Sequence, residues 1–411
     1  MSSLPSPESS ATCPVAHPLD QGPDGVNRPG LYKNAQYHAL RETDTGVVEI
    51  IRANGTPGKL VTRYDDVKKV LRQEGCSREA ALDVDDVGLE GTLLGLDGDN
   101  HAAVRNVVKD CFTPQAIEKR RGEIENRAAM QLKAMLDQGE PVDLMETFAI
   151  PLTLETISDM LGLPQPDRLQ FRQWGEAFLA NSDLTRADTD ASALAMAGYL
   201  ATLIEQRRQE PTADLLSQIA VGGAHLPPDR LLMLPIALVL GGWEATASSI
   251  GTFTQVLLTH PYAEHESAYA YLIDHPEMIP GAVTELERMF STSAGDDMPR
   301  RVIRQMRLPS GAHLQPGEVV IPSHDAANFD PRVFPDPHRI DFARSPNKHL
   351  SFGHGPHHCI GRHLGHMEVE VAIGLLIREL PTLRLAISSQ DIQYKAGHAV
   401  SGPIRLPVAW S

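Results

Sequence analysis

Cysteine, positive charge and long apolar runs are all scarce in this 411-residue sequence. The four cysteines are Cys13, Cys76, Cys111 and Cys359, which are irregularly spaced and include no CxxC pair. A disulfide framework or a structural zinc site would require closer and more regular spacings. We therefore expect reduced thiols and a cytoplasmic location.

Basic residues are too few to favour polyanionic partners. The chain has 37 Lys and Arg against 53 Asp and Glu, a formal net charge of −16. Nucleic acid and anionic membrane would both be repelled at long range. Any anionic protein partner must instead find a local basic patch.

The sequence also lacks an obvious targeting or membrane segment. Residues 1–30 are rich in Ser, Pro and Gly, with neither a basic start nor an apolar core. The longest apolar run, Leu231 to Gly242, is too short to span a bilayer and leads into Glu244. We expect that run to be a buried helix and the protein to have no membrane partner.

The chain is expected to form a loose N-terminal tail over residues 1–30 and one compact domain over residues 31–411, because it shows neither repeats nor a long linker. Helical spacing dominates from about Asn100 to Leu258 and again from Gly361 to about Glu379. Short strands separated by turns are predicted after Arg288. The fold class is therefore mainly α with a small β region.

A glycine-rich stretch, "FGHGPHHCIG", runs from Phe352 to Gly361 and contains one cysteine. A lone cysteine is most often a small buried residue without chemistry. Here, however, Cys359 precedes a predicted helix, whose N–H groups and dipole favour a thiolate. Gly353, Gly355 and Gly361 allow the backbone to approach a flat group. These features together suit an iron–thiolate bond to haem.

The stretch resembles the haem-binding signature FxxGxxxCxG of the cytochrome P-450 monooxygenases. Phe352, Gly355, Cys359 and Gly361 occupy its four fixed positions, and His357 stands where many bacterial members place a histidine near a haem propionate. The resemblance extends from about residue 58 to the C-terminus. It implies the P-450 fold, with haem b (iron protoporphyrin IX) between a long distal helix and the cysteine-bearing loop, Cys359 as iron ligand, and use of O2.

Further propionate-binding residues are implied by "LDGDNHAAVR". His101 and Arg105 are four residues apart on a helix that Asp97 or Asp99 could cap. The resemblance assigns both side chains to the haem propionates. Arg301 matches a third position of this kind, with its neighbour Arg300 as the alternative.

A structural triad is implied by "ELER". Glu285 and Arg288 share one helix face and can pair. Such a pair is usually a weak surface salt bridge. In the family, an arginine from the irregular segment before the cysteine completes a buried triad, and Arg339 matches that position.

The long distal helix is expected over Leu231 to Leu258. In "GGWEATAS", Glu244 matches the family's proton-relaying acid, but Ala245 replaces the threonine that normally follows it. Thr246 is turned about 100° away, so it is expected to bond a backbone carbonyl. Trp243 is expected to pack in the core. We hypothesise that hydroxyl or N–H groups of the substrate take over the missing role.

The resemblance also suggests where substrate lies. The loop from about Ala80 to Leu94 is one region, and Asp296 and Asp297 are expected in a solvated loop. The individual lining candidates are Ala237, Gly241, Ser293, Ala294, Ala399 and Val400.

No electron-transfer module is attached, so the resemblance implies a separate ferredoxin and an NAD(P)H-dependent reductase. Arg72, Lys109 and Arg362 are candidates for a basic docking patch. Relatives of this type suggest a monomer.

The leading interpretation is a monooxygenase that hydroxylates a medium-sized natural product. The main alternative is oxidative C–C or C–N coupling of aromatic, indole or cyclic-dipeptide groups without oxygen insertion. A peroxide-driven enzyme is disfavoured, because one type of such enzymes carries arginine in place of the acid that is Glu244 here. A haem-based ligand sensor is disfavoured by Glu244 and the propionate set.

Overall fold

A computed structural model describes residues 35–52, 55–84, 90–179, 186–292, 298–395 and 400–411, together with the backbone of residues 15–16. Within this part of the chain, helices dominate and strands are short. The predicted class, mainly α with a small β region, is confirmed.

The first half of the described chain contains nine α-helices. They are α1 Ala35–Arg41, α2 Tyr64–Leu71, α3 Gly98–Val108, α4 Pro114–Glu118, α5 Arg121–Leu136, α6 Ile150–Leu161, α7 Arg168–Leu179, α8 Arg186–Gln209 and α9 Leu215–Gly222.

The helices of the second half include those nearest the cysteine. They are α10 Pro228–Gly242, α11 Glu244–Thr259, α12 Ala268–Asp274, α13 Ile279–Met289, α14 His324–Asn328 and α15 Arg362–Glu379. The last of these confirms the helix predicted from Gly361 to about Glu379.

Eleven strands form three small sheets in the described residues. They are β1 Val15–Ala16, β2 Val47–Ile51, β3 Pro57–Val61, β4 Cys76–Ser77, β5 Val142–Asp143, β6 Arg300–Val302, β7 Met306–Arg307, β8 His313–Leu314, β9 Val319–Pro322, β10 Arg384–Leu385 and β11 Pro407–Ala409. The sheet orders are β1-β2-β3-β9-β6-β4, β10-β11-β5 and β7-β8.

One strand lies inside the predicted N-terminal tail. Val15–Ala16 pair in parallel with Ile50–Ile51 at the edge of the largest sheet. The tail predicted over residues 1–30 thus contains two residues that pair with the sheet, and its looseness stays a prediction.

Apolar faces of four helices meet in the largest core. Leu132 of α5, Phe253 of α11, Leu286 of α13 and Leu376 of α15 are all buried in it. This packing fixes α15, which begins three residues after Cys359, against the helices that carry the other candidate residues.

Helices α10 and α11 together form the long helix expected at residues 231–258, but they are interrupted at Trp243. The stretch Pro228–Thr259 is long and apolar enough to cross a membrane by length and composition. Most of its apolar window, 61%, is buried inside the protein. It is the core helix pair predicted from the sequence.

Candidate active site around Cys359

The cysteine lies in a tight turn that is pressed against helix α2. The Cys359 N–H donates to the Phe352 carbonyl at 2.8 Å, which closes the turn on itself. Gly355 has φ +76°, and a Cβ there would lie 2.6 Å from the Leu71 carbonyl oxygen. Only glycine fits this close approach, so the turn is fixed on the end of α2.

Cys359 is exposed to solvent, although many protein atoms surround its thiol. Burial raises the pKa of the thiol, while the Gly361 N–H and the guanidinium groups of Arg105 and Arg362 act in the opposite direction. These donors stabilise a thiolate. An accessible thiol held by N–H and cationic groups is suited to binding a metal.

Two histidines predicted to bind propionates lie together beside this turn. The rings of His101, on α3, and His357 are 4.3 Å apart between centroids. Burial lowers the pKa of His101 to about 4, and its Nε2 atom is buried without a hydrogen-bond partner among the described residues. A neutral imidazole N–H of this kind can donate to a carboxylate.

Asp97 precedes helix α3 but does not cap it. The Asp97 carboxylate instead accepts hydrogen bonds from Ser77, Gln73 and the Glu79 N–H, and it lies 3.1 Å from His357 Nε2. Burial raises the pKa of Asp97, but these hydrogen bonds outweigh burial and hold it below its usual range. The predicted cap is therefore replaced by a bond that orients His357.

Arg105 also lies beside the cysteine turn. Its guanidinium donates to the His358 carbonyl at 2.7 Å. The charge of Cys359 raises the pKa of Arg105, although burial is the larger effect and lowers it. The side chain thus lies close to the candidate iron ligand.

The structure corrects the assignment of Arg301. Its guanidinium is directed at the Ala80 and Gly317 carbonyls, at 2.7 and 3.2 Å. Arg300, the alternative named from the sequence, is buried, and its charge lowers the pKa of His357 after the larger effect of burial. Neighbouring side chains of strand β6 face opposite sides, so Arg300 and not Arg301 faces the histidines.

The predicted pair Glu285–Arg288 is confirmed, with both side chains fully buried and 2.8 Å between charged atoms. Its third member is Arg344, whose Nε lies 3.0 Å from Glu285 Oε1. The prediction of Arg339 is wrong. Arg339 is exposed and contributes its carbonyl to Arg344, because the chain turns between the two residues.

The triad holds the segment that leads to the cysteine. Arg288 donates to the Asn328 carbonyl, and the Asn328 side chain binds Ser351 Oγ at 2.9 Å and the Leu350 N–H at 2.7 Å. Phe352 follows directly. Through Asn328, these bonds connect helix α13 to Leu350 and Ser351, the two residues that precede the cysteine turn.

The distal helix is interrupted at Trp243, directly after Gly241 and Gly242. Trp243 has φ −111° and ψ −46° between the two helices. Gly241 is exposed, and a Cβ there would meet nothing within 4 Å. Gly242 instead packs on Ile157, since a Cβ would lie 3.1 Å from its Cγ1.

Two side chains around this interruption, Trp243 and Thr246, agree with the sequence interpretation. Trp243 is buried in the core, and Ala245 is only partly buried. Thr246 is buried, with its hydroxyl 3.5 Å from the Gly242 carbonyl. A Cβ at Gly365 would lie 3.2 Å from that hydroxyl, so it faces helix α15.

Sequence reasoning missed the partner of Glu244. The Lys395 ammonium donates to Glu244 Oε1 at 2.7 Å, and both side chains are largely buried. The two residues are separated by 151 positions, and no local pattern signals such a contact.

The predicted substrate-lining residues are only partly described. Ala237 and Val400 are partly buried, and Gly241 is exposed. Ser401 N–H donates to the Thr292 carbonyl at 2.8 Å, which brings two of the predicted lining segments together. Ser293, Ala294, Ala399 and the acids Asp296 and Asp297 lie outside the described residues.

The described residues around Cys359 suit haem. The accessible thiol can ligate iron, and the imidazole N–H of His101 lacks a partner that a propionate would provide. Arg105 acts electrostatically on both Cys359 and His101, His357 acts on His101, and Arg300 acts on His357. The chemistry of this donor set matches an iron porphyrin with two carboxylates.

Comparisons with known proteins point the same way. The family model described as Cytochrome P-450 matches residues 277–390. The chain is 35% identical over 389 residues to mycinamicin IV hydroxylase/epoxidase of Micromonospora griseorubida, covering 93% of this chain and 96% of the relative. It is 34% identical over 366 residues to nocardicin C N-oxygenase of Nocardia uniformis subsp. tsuyamanensis, covering 85% of this chain and 89% of that relative.

A solved structure extends this similarity to the fold. The structure of the mixed-function P-450 MycG matches with a TM-score of 0.85 and 34% identity, covering 93% of this chain and 97% of that one.

Proposed function

Because this chain belongs to the cytochrome P-450 family of haem monooxygenases, we propose that it hydroxylates or similarly oxidises a medium-sized natural product in secondary metabolism. The observation that carries the proposal is the accessible Cys359 thiol, held at the start of α15 and flanked by Arg105 and Arg362. The names of the relatives support this substrate class, since they include a mycinamicin IV hydroxylase/epoxidase and a nocardicin C N-oxygenase.

We propose haem b as the cofactor, with Cys359 as iron ligand and His101, Arg105, Arg300 and His357 around its propionates. When bound, haem supplies the iron that activates O2, and thiolate ligation favours O–O cleavage. Phe352, Gly355 and Gly361 shape the turn that presents the thiolate. The triad of Glu285, Arg288 and Arg344 keeps that turn in place.

Glu244 is proposed to be the acid that moves protons into the distal site. The next residue, Ala245, offers no hydroxyl, and the Thr246 hydroxyl faces α15 and the Gly242 carbonyl. Neither side chain can therefore supply the alcohol that the family normally uses. A hydroxyl or N–H group of the substrate is proposed to complete the path from Glu244, which ties catalysis to correct substrate binding.

Electrons are proposed to come from a separate ferredoxin and its NAD(P)H-dependent reductase. Arg72, Lys109 and Arg362 are all exposed, and Arg72 lies 3.4 Å from His354 in the cysteine turn. Positive charge at this face would attract an acidic donor despite the net charge of −16. A cytoplasmic monomer is part of the same proposal.

The test is a reconstituted turnover of the holoenzyme with ferredoxin, reductase and NADPH under isotopically labelled O2, analysed by mass spectrometry. The compounds are mycinamicin IV, nocardicin C and aromatic cyclic dipeptides. A product that gains one labelled oxygen is expected. A product that loses two hydrogens and gains no label would replace this proposal with oxidative coupling.

A further inference from the structure

One face of helix α11 is covered by the C-terminal segment of the chain. Glu244, Ser248, Gly251 and Gln255 follow spacings of four, three and four residues, which places them on one side of a helix. This face includes the acid at the beginning of α11. We call it the acid face.

Four described residues near the C-terminus, Tyr394, Lys395, Gly402 and Pro403, pack on the acid face. A Cβ at Gly402 would lie 2.5 Å from Ser248 Oγ, and a Cβ at Gly251 would lie 2.9 Å from Pro403 Cγ. Such close approaches require glycine. The register between the segment and the helix is therefore tightly fixed.

Lys395 is the charged residue of this contact. Its N–H donates to the Gly402 carbonyl at 3.0 Å, which fixes the backbone. Its ammonium lies 2.7 Å from Glu244 Oε1 and 3.5 Å from Ser248 Oγ. The exposed fractions of the Lys395 and Glu244 side chains are 16% and 8%.

A largely buried carboxylate needs a charged partner, and its rotamer follows that partner. Among the described residues, Lys395 is the one that hydrogen-bonds the Glu244 carboxylate. If Lys395 were removed, the carboxylate would be left unpaired in the interior. It would then either change its protonation or turn toward water.

We propose that Lys395 is the positioning residue of Glu244 and couples proton delivery to the C-terminal substrate-lining segment. This inference rests on the proposed function, because it concerns the acid of the same site. The segment that carries Lys395 continues to Val400 and to Ser401, whose N–H binds the Thr292 carbonyl. Displacement of Val400 or Ser401 by substrate would be transmitted to Lys395 through the adjacent Gly402, whose carbonyl accepts the Lys395 N–H.

The functional test measures how the holoenzyme divides electrons between peroxide and water in the absence of organic substrate. One NADPH and one proton reduce O2 to H2O2, whereas two NADPH and two protons reduce it to two molecules of water. NADPH, O2 and H2O2 are followed with ferredoxin and reductase for the wild type and for Lys395→Met, Lys395→Arg and Glu244→Gln. Lys133→Met is the matched control, because Lys133 forms an exposed ion pair with Asp137 at the C-terminal end of α5.

Lys395→Met should raise the yield of H2O2 per NADPH roughly threefold, since misplaced acids protonate less efficiently. Lys395→Arg should retain most of the wild-type ratio, and Lys133→Met all of it. Adding Lys395→Met to Glu244→Gln should produce no further rise. An unchanged ratio in Lys395→Met, or an effect that adds to that of Glu244→Gln, would overturn the proposal.

A thermal double-mutant cycle on the holoenzyme gives a readout independent of activity. Lys395→Met should lower the Tm clearly in the wild-type background and less in the Glu244→Gln background, because the stranded charge is then absent. Equal losses would contradict the ion pair. Failure of the proposed function would look different, because the wild type would then consume no NADPH above the enzyme-free rate. The thermal cycle would still show whether Lys395 and Glu244 interact.

Discussion

Single side chains decide the chemistry of the distal site. Ala245 is partly buried beside the interruption of the helix, and no hydroxyl of the next residue replaces the missing alcohol. The sequence shows directly that position 245 lacks a threonine. It also predicted the orientation of Thr246, because helical geometry fixes the angle between neighbouring residues. Lys395 could not be predicted, since it reaches Glu244 only through the tertiary fold.

Ala245→Thr tests whether substrate completes the proton path. The added methyl and hydroxyl groups would occupy space next to Gly241, so product formed per NADPH should stay constant or fall. Thr246→Val is the control and should change this ratio little, because that hydroxyl faces α15. A clear rise in coupled product with Ala245→Thr would show that ordered water had filled the gap poorly.

Arg344 belongs to the structural triad, whereas the predicted Arg339 does not, and substitutions of the two residues test this difference. Arg344→Met would leave the fully buried Glu285 carboxylate with fewer charged partners, at a cost of about 3 kcal/mol or more. Arg339→Met should change the free energy of unfolding by less than about 0.5 kcal/mol, as for other exposed sites. Urea unfolding of the two variants measures the difference, and a larger loss for Arg339→Met would restore the original assignment.

At the scale of elements, the cysteine turn depends on how α2, α13 and α15 meet it. The final long helix was predictable from periodicity. The contact between Gly355 and the end of α2 could not be predicted. The sequence motif indicates that a glycine is needed there, but it does not show which part of the chain packs against that glycine. The same limit explains Arg344, which only the course of the chain distinguishes from Arg339.

Gly355→Ala tests the contact between the cysteine turn and α2. The residue has φ +76°, and its new Cβ would lie 2.6 Å from a backbone oxygen, so we expect a loss of about 2 kcal/mol or more in unfolding free energy and weaker haem retention. Gly122→Ala, in α5, meets nothing within 4 Å and should be neutral or stabilising by up to about 1 kcal/mol. Equal behaviour of the two variants would contradict this packing.

At the scale of the whole molecule, the chain is strongly acidic, yet the proposed docking face carries exposed basic residues. The chain carries −16 overall, yet Arg72, Lys109 and Arg362 are exposed and candidates for one docking patch. Composition excluded nucleic acid as an expected partner but could not locate this patch. Docking that depends on it should weaken as salt rises.

Arg362→Glu tests the proposed docking of ferredoxin. The KM for ferredoxin should rise about fivefold or more at low salt, since one exposed ion pair contributes up to about 1 kcal/mol. Arg378→Glu is the control at the other end of α15, where the side chain is 68% exposed. Similar effects of both substitutions would indicate attraction without a defined docking face.

The central claim is that Cys359 binds haem iron as a thiolate. The most direct measurement is the reduced carbon monoxide difference spectrum of the wild type, with Cys359→Ser and Cys111→Ser beside it. The account predicts the red-shifted Soret band of thiolate-ligated haem in the wild type and in Cys111→Ser, and its loss in Cys359→Ser. A wild-type spectrum typical of histidine ligation, or a thiolate band that survives in Cys359→Ser, would contradict it.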